Sequence, residues 1–341
     1  MRRLTMAVML LLTAAQARAA SFDPALVAAA TKEGAVVWYS GLVVAQLLRP
    51  MAESFEARFP GIKLQYARAS NTDTTVKLLN EARAHRMQAD VADVTSGNFA
   101  LTDAGIFAPY RPAAARHYPA ALKHKDGLWT ASNLYFLGVA YNTNLVKPED
   151  APKTFADLLD PRWKGHMAWT AELAAQGPPG FVFNVLTTMG EEKGRAYLQH
   201  LAAQQPVSVA VSPRAVLDQV ISGEHWMGLM MYNHNAAASI GAGAPLANAR
   251  VEPLVALFNI LGVIEGSPHP NAGKLLVEYI LSDEGQSVMQ RQDYLPADPN
   301  IPARIPELKP EGGHFAVTTM TPEIAKEGLT KWISVYREVF R

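Results

Sequence analysis

Ala35-Val36-Val37-Trp38-Tyr39-Ser40-Gly41 decides the fold. Its apolar run is rich in β-branched and aromatic residues and does not alternate, which predicts a strand buried on both faces, with Ser-Gly as the turn that follows. Upstream, Val27 to Glu33 reads as a short helix stopped by Gly34. Downstream, Leu47, Leu48, Met51, Phe55 and Phe59 recur at helical spacing, so Ala45 to Phe59 is expected as an amphipathic helix ended by Pro60-Gly61. Ile62 to Tyr66 alternates as a second strand, a helix starts near Thr72, and Ala89 to Val94 is a third strand running into Thr95-Ser96-Gly97. This β-α-β-α-β order predicts an α/β fold with a mostly parallel sheet flanked by helices.

A long element from Leu128 to Tyr141 breaks the rhythm. Thr154-Phe155-Ala156-Asp157 then matches a capping box before Leu158-Leu159. Met167 to Thr170 and Val207 to Val211 are expected strands, with helices at Phe181 to Met189 and Lys193 to Ala203. Ser212-Pro213-Arg214 opens a helix by rule: a hydroxyl cap, then proline at the first helical position, with Ser222-Gly223 at the far end. Trp226 to Tyr232 is an apolar strand leading into a loop at Asn233-His234-Asn235, and Val255 to Val263 is another strand. Asn271 is expected to cap the next helix, Leu295 to Pro310 is expected to be irregular, and Ile324 to Phe340 forms the last helix.

Residues 1–19 have the parts of a secretory signal: Arg2 and Arg3, the apolar run Met6 to Leu12, and Ala17-Arg18-Ala19 as a small-x-small cleavage pattern. The run is shorter than the ~20 apolar residues a membrane span needs. Cleavage near Ala19 would leave 28 basic and 31 acidic residues, a net charge of −3 with no basic cluster. That balance argues against a nucleic-acid partner. The chain has no cysteine, which excludes disulfides, thiolate metal sites, a cysteine nucleophile and a lipidated cysteine. A free periplasmic protein with its own core, of about two domains, is the expectation.

Two stretches carry a resemblance. One is Val139-Ala140-Tyr141-Asn142-Thr143-Asn144, followed by Thr154-Phe155-Ala156-Asp157-Leu158-Leu159-Asp160-Pro161-Arg162-Trp163-Lys164-Gly165. The other is His269-Pro270-Asn271-Ala272-Gly273-Lys274-Leu275-Leu276, continuing to Leu281-Ser282-Asp283-Glu284-Gly285-Gln286. Here the chain resembles the type II periplasmic solute-binding proteins of ABC transporters, in the branch of ferric-ion, phosphonate and sugar-phosphate binders. The resemblance implies two lobes joined by crossing strands near Ala131 to Tyr135 and Val255 to Phe258. It divides the chain into 20–133 plus 259–305 and 134–258 plus 306–341. It further implies a small-molecule ligand held by hinge closure, a monomer, and the inner-membrane permease subunits as partner.

Ligands of open α/β sheets sit beyond the carboxyl ends of strands, where helix N-termini favour anions. That rule selects Ser40, Gly41, Ser70, Asn71, Thr72, Thr95, Ser96, Thr170, Ser212, Arg214, Tyr232, Asn233 and His234. Hydroxyls, amides and small residues dominate and carboxylates are few, so an oxyanion (phosphonate, phosphate ester or carboxylate) suits the set better than a bare cation. For any one of these residues, the commoner role is a turn or a helix cap. Replacing Ser212 or Tyr232 with alanine is expected to weaken binding without unfolding.

A ferric ion is the rival ligand. The family's iron donors would fall near Val43, Thr95 or Ser96, and Asn233 and His234, positions that are absent or altered as donors, so no metal site is expected. No GxSxG, Walker, HExxH or dinucleotide fingerprint occurs, so neither catalysis nor a cofactor is expected. An exported enzyme on the same fold, with Glu172 and His234 as its candidate groups, and a sensor subunit are the other readings.

Overall fold

The computed structural model describes residues 22–340, so the expected signal sequence and cleavage near Ala19 lie outside the described residues. The first block runs α1 (Pro24–Glu33), β1 (Ala35–Ser40), α2 (Arg49–Arg58), β2 (Lys63–Arg68), α3 (Asn71–Arg83), β3 (Val91–Thr95) and the short α4 (Ala100–Asp103). The long β4 (Thr130–Asn142) enters a second block: β5 (Met167–Thr170), α5 (Pro178–Met189), α6 (Glu191–Ala203), β6 (Val207–Val209), α7 (Pro213–Ser222), β7 (Met227–Tyr232), α8 (Asn233–Gly241) and β8 (Leu246–Ala249). β9 (Leu254–Val263) returns to the first block, where α9 (Pro270–Leu281), α10 (Asp283–Arg291) and β10 (Leu295–Pro296) follow. The chain ends with α11 (Pro310–Gly313), β11 (Val317–Thr319) and α12 (Pro322–Phe340). No described helix is long and apolar enough to cross a membrane.

The strands follow the order β2-β1-β3-β9-β4-β7-β5-β6. At one end β1 pairs in parallel with β2 and β3, and at the other β5 pairs in parallel with β6 and β7. Between them β9 and β4 run antiparallel to each other and to their outer neighbours, paired from Thr130 opposite Leu261 to Leu137 opposite Val255 with a register shift between Ala131 and Asn133. Every residue of β9 is buried, as a strand covered on both faces requires.

Two hydrophobic cores flank this crossing. Trp38, Phe55, Leu78, Val91, Ile260 and Tyr279 belong to one; Trp163, Trp169, Val182, Leu198, Leu229 and Tyr336 belong to the other. Along β9 the change of core falls between Leu257 and Phe258, and along β4 between Ala131 and Leu137. The result is a two-lobed α/β fold. The lobes touch at Gly97, where a Cβ would stand 2.5 Å from that of Ala175, so only glycine permits the approach.

Local chemistry explains most elements. Asp23 caps α1 through Ala25 N, Pro24 takes the first helical position, and Gly34 closes the helix at φ 73°. Ser212 caps α7 and Gly223 closes it at φ 85°, as its sequence predicts. The capping box also forms, with Asp157 Oδ2 accepting from Lys153 and Thr154 N.

Three expectations need correction. The Ala45 to Phe59 helix is two pieces, a π-helical turn Val44–Leu48 and then α2. Asn233-His234-Asn235 is not a loop but the start of α8. Asn271 does not cap α9: Glu33, at the end of α1, reaches across to accept from Asn271 N, Asn271 Nδ2 and Ala272 N at 2.7–3.2 Å. A carboxylate brought in by the tertiary fold thus satisfies the helix's orphan amides.

Candidate functional site

Between the lobes lies a cleft of about 570 Å3, within the size range of small-ligand sites. The first lobe supplies Gly41, Leu42, Val43 and Gln46 after β1, Arg68 at the end of β2, Asn71 at the start of α3 and Thr95 at the end of β3. It also supplies Asp293 and Tyr294, just before β10. The second lobe supplies Arg214 in the first turn of α7, Tyr232 at the end of β7, and His234, Asn235 and Ala238 of α8. The crossing strands add Tyr135 from β4 and Asn259 from β9. Three helices therefore turn their first-turn residues to the cleft, and the partial positive charge of helix N-termini accumulates there.

The charges are unequally engaged. Arg214 donates to Ser239 Oγ at 3.0 Å and to Asp218 at 2.8 Å, along its own helix. Asp293 is paired with Arg304. The Arg68 side chain has no ion pair or hydrogen bond among the described residues, and it is exposed. The free charge of the cleft is thus cationic. Gln46 is fixed by donating to Gln292 O at 2.9 Å, Asn71 Oδ1 accepts from Thr95 N at 3.2 Å, and Tyr294 Oη accepts from Val43 N at 3.2 Å.

One wall is aromatic. The rings of Tyr135, Tyr232 and His234 stand 5.5–5.6 Å from one another, centroid to centroid. Burial pushes the phenols of Tyr135, Tyr232 and Tyr294 upward and the His234 imidazole down to about 4, so all four are neutral at neutral pH. Below the cleft, Asn259 donates to Asp93 Oδ2 at 3.0 Å, while Asp93 Oδ1 has no hydrogen-bond partner among the described residues. Burial pushes the Asp93 carboxyl up to about 7, and the Ser40 hydroxyl, Asn259 amide and Trp38 indole around it offset only part of that cost.

Of the residues selected from sequence, Gly41, Asn71, Thr95, Arg214, Tyr232 and His234 come together as lining. The others do not line the cleft. Ser40 is buried beneath it, accepting from Leu42 N. Ser70 caps α3 by accepting from Asp73 N, and Thr72 lies exposed on that helix. Ser96 is buried, donates to Met320 O and accepts from Phe258 N. Thr170 is buried and donates to Val211 O at 2.7 Å. Ser212 accepts from Ala215 N as the α7 cap, and Asn233 is buried at the start of α8. The hydroxyls of Ser40, Ser70, Ser96, Thr170 and Ser212 are thus engaged within the protein, and Ser212 stands here as a helix cap rather than as lining.

Sequence reasoning missed Arg68, Gln46, Tyr135, Asn259, Asp293 and Tyr294. Arg68 was detectable, because it ends a strand at the sheet edge the rule examines. Asp293 is the one carboxylate among the described residues that line the cleft. Glu172 and His234, the enzyme candidates, share no hydrogen bond; Glu172 is exposed and accepts from Gln176 at 3.0 Å. No group of three or more His, Cys, Asp or Glu among the described residues could hold a metal ion.

Comparison with known proteins adds an independent line. The profile of a family described as bacterial extracellular solute-binding protein matches residues 90–311. Iron uptake protein A1 of Synechocystis is 22% identical over 202 residues, 56% of this chain and 56% of that protein. A Salmonella typhimurium periplasmic protein provisionally named for 2-aminoethylphosphonate binding is 25% identical over 215 residues, 59% of this chain and 60% of that protein. The chain thus aligns with less than two thirds of the length of either. Among solved structures, the periplasmic binding protein AfuA from Actinobacillus pleuropneumoniae, with fructose-6-phosphate bound, superposes with a TM-score of 0.73. That superposition covers 90% of this chain and 98% of that one at 20% identity.

Proposed function

Since this chain belongs to the bacterial extracellular solute-binding protein family, we propose that it is the periplasmic binding component of an ABC importer. It captures a small oxyanion-bearing solute (a phosphonate, phosphate ester or carboxylate) and returns it unchanged. Residues 20–133 with 259–305, and 134–258 with 306–341, act as two bodies that close on the solute about β4 and β9. The closed form is what the permease subunits recognise. The protein works as a monomer, exported after cleavage near Ala19.

The observation that carries the oxyanion reading is the unpaired Arg68 guanidinium, facing a cleft onto which the first turns of α3, α7 and α8 converge. Closure would bring a bound anion against both lobes, and the contacts made only in the closed state shift the population. The test is a thermal-shift screen of phosphonates, phosphate esters and carboxylates, then titration of any hit against Arg68→Ala. A hydrogen bond to a charged group is worth about 1.5–3 kcal/mol, so affinity should drop roughly ten- to hundredfold. Equal affinity in the variant would sink the oxyanion reading.

A second reading has its own observation. Tyr135, Tyr232, Tyr294, His234 and Asp293 all line the cleft, a set of oxygen and nitrogen donors that a ferric ion could use. Phenols must lose their protons to bind iron, and burial opposes that here. A visible tyrosinate-to-iron absorption on adding ferric citrate, lost in Tyr232→Phe, would favour iron.

A further inference from the structure

Beside the main cleft is a second cavity of about 370 Å3, and the two share His234, Ala238, Asp293 and Tyr294 as lining. Its character differs from that of the cleft. One wall is the α8 face carrying Ala237, Ala238 and Gly241, with no side chain beyond a methyl group. The opposite wall is aliphatic, built from Leu295, Ile305 and Leu308. Ile305 is 39% exposed, an apolar surface left uncovered at this wall. The ions present, Asp293 and Arg304, pair with each other and leave no free charge. At the junction His234 is neutral, and its Nδ1 has no hydrogen-bond partner among the described residues.

We infer that the solute is a two-part molecule, an oxyanion head carrying an uncharged aliphatic chain. The head lies in the main cleft toward Arg68, and the chain lies between α8 and the 295–308 segment. This rests on the oxyanion reading above and narrows it, because a bare inorganic anion or a ferric ion has nothing to place in the second compartment. At about 30 Å3 per water-sized volume, the compartment has room for roughly ten such units, the scale of a short alkyl chain.

Calorimetric titration of a homologous series tests this directly: methyl-, propyl-, butyl- and hexylphosphonic acid. Burial of each methylene should tighten binding about fourfold until the compartment is full. Gly241→Leu provides the second arm. Gly241 lines the compartment and a Cβ there meets no atom within 4 Å, so the position admits a side chain, and a leucine is the bulk chosen to fill the space. Leucine also favours a helix over glycine, so the variant should melt no lower than the parent. The expected result is an unchanged methylphosphonate affinity in Gly241→Leu with the chain-length dependence abolished. Methylphosphonate binding as tightly as hexylphosphonate in the parent would overturn the inference while leaving the oxyanion reading intact. So would equal losses across the series in the variant. Binding of no phosphonate of any length would overturn the oxyanion reading, and the inference with it.

Discussion

Asp93 offers a measurement whose size follows from its surroundings. The side chain is fully buried on β3, with Oδ2 held by Asn259 and Oδ1 unpartnered. Desolvation moves its carboxyl from 3.8 to about 7. Between those values the native protein holds a proton that the unfolded chain has released, so stability falls as pH rises through the window. At 1.36 kcal/mol per pH unit, the ionised carboxylate costs the fold about 4 kcal/mol once pH exceeds 7, and little below pH 4. Asp93→Asn keeps the shape and an acceptor for Asn259 but cannot ionise. Urea unfolding of both proteins at pH 5 and pH 8 should therefore show the variant gaining about 2–3 kcal/mol on the parent between the two conditions. Taking the difference cancels His234, whose depressed value makes its own contribution fade in the opposite direction, as pH falls below about 6.5 toward 4. Parallel profiles, or a parent that gains on the variant at higher pH, would refute the assignment of a protonated carboxyl beneath the cleft. Because Asn259 lines the cleft and is fixed by Asp93, solute affinity measured across the same range should change with the same midpoint.

Other outcomes follow from placements described above. Ser212→Ala removes the α7 cap and should cost about 1 kcal/mol in chemical denaturation, with no change in solute affinity; a weakened affinity would mean the hydroxyl reaches the solute after closure. Glu33→Gln withdraws the charge that satisfies the α9 amides. It should lower stability by roughly 0.5–2 kcal/mol and speed amide exchange at Asn271 and Ala272, and unaltered exchange would contradict the capping role.

What the sequence discloses depends on how local the physics is. Ser212, Pro213 and Gly223 bracket α7 because a cap, a fixed φ and a left-handed terminus all act within a few residues. Asn271 looks like a cap for the same reason, yet the acceptor that serves α9 comes from Glu33, 238 positions away, which no local pattern reveals. α8 hides because its N-cap, Tyr232, makes no capping hydrogen bond. In the site, Asn71, Thr95, Arg214 and Tyr232 were legible through the rule that strand ends and helix starts face the ligand. Tyr135 and Asn259 lie within the crossing strands, and Asp293 and Tyr294 on an irregular segment, so only the assembled fold brings them to the cleft. Ser96 and Thr170 obey the same positional rule and fail it, because their hydroxyls bond to nearby main chain.

The return of β9 to the first lobe has a consequence for the order of events on synthesis. β3 is flanked by β1 on one side and β9 on the other, and the Asn259 amide that binds Asp93 is 166 positions later in the chain. A nascent chain that has emerged only through the second block carries β3 with an unpaired edge and a core lacking Phe258, Ile260, Leu275 and Tyr279. Such an edge invites misassociation. The first lobe is thus begun first but finished late, which delays stable folding until most of the polypeptide exists.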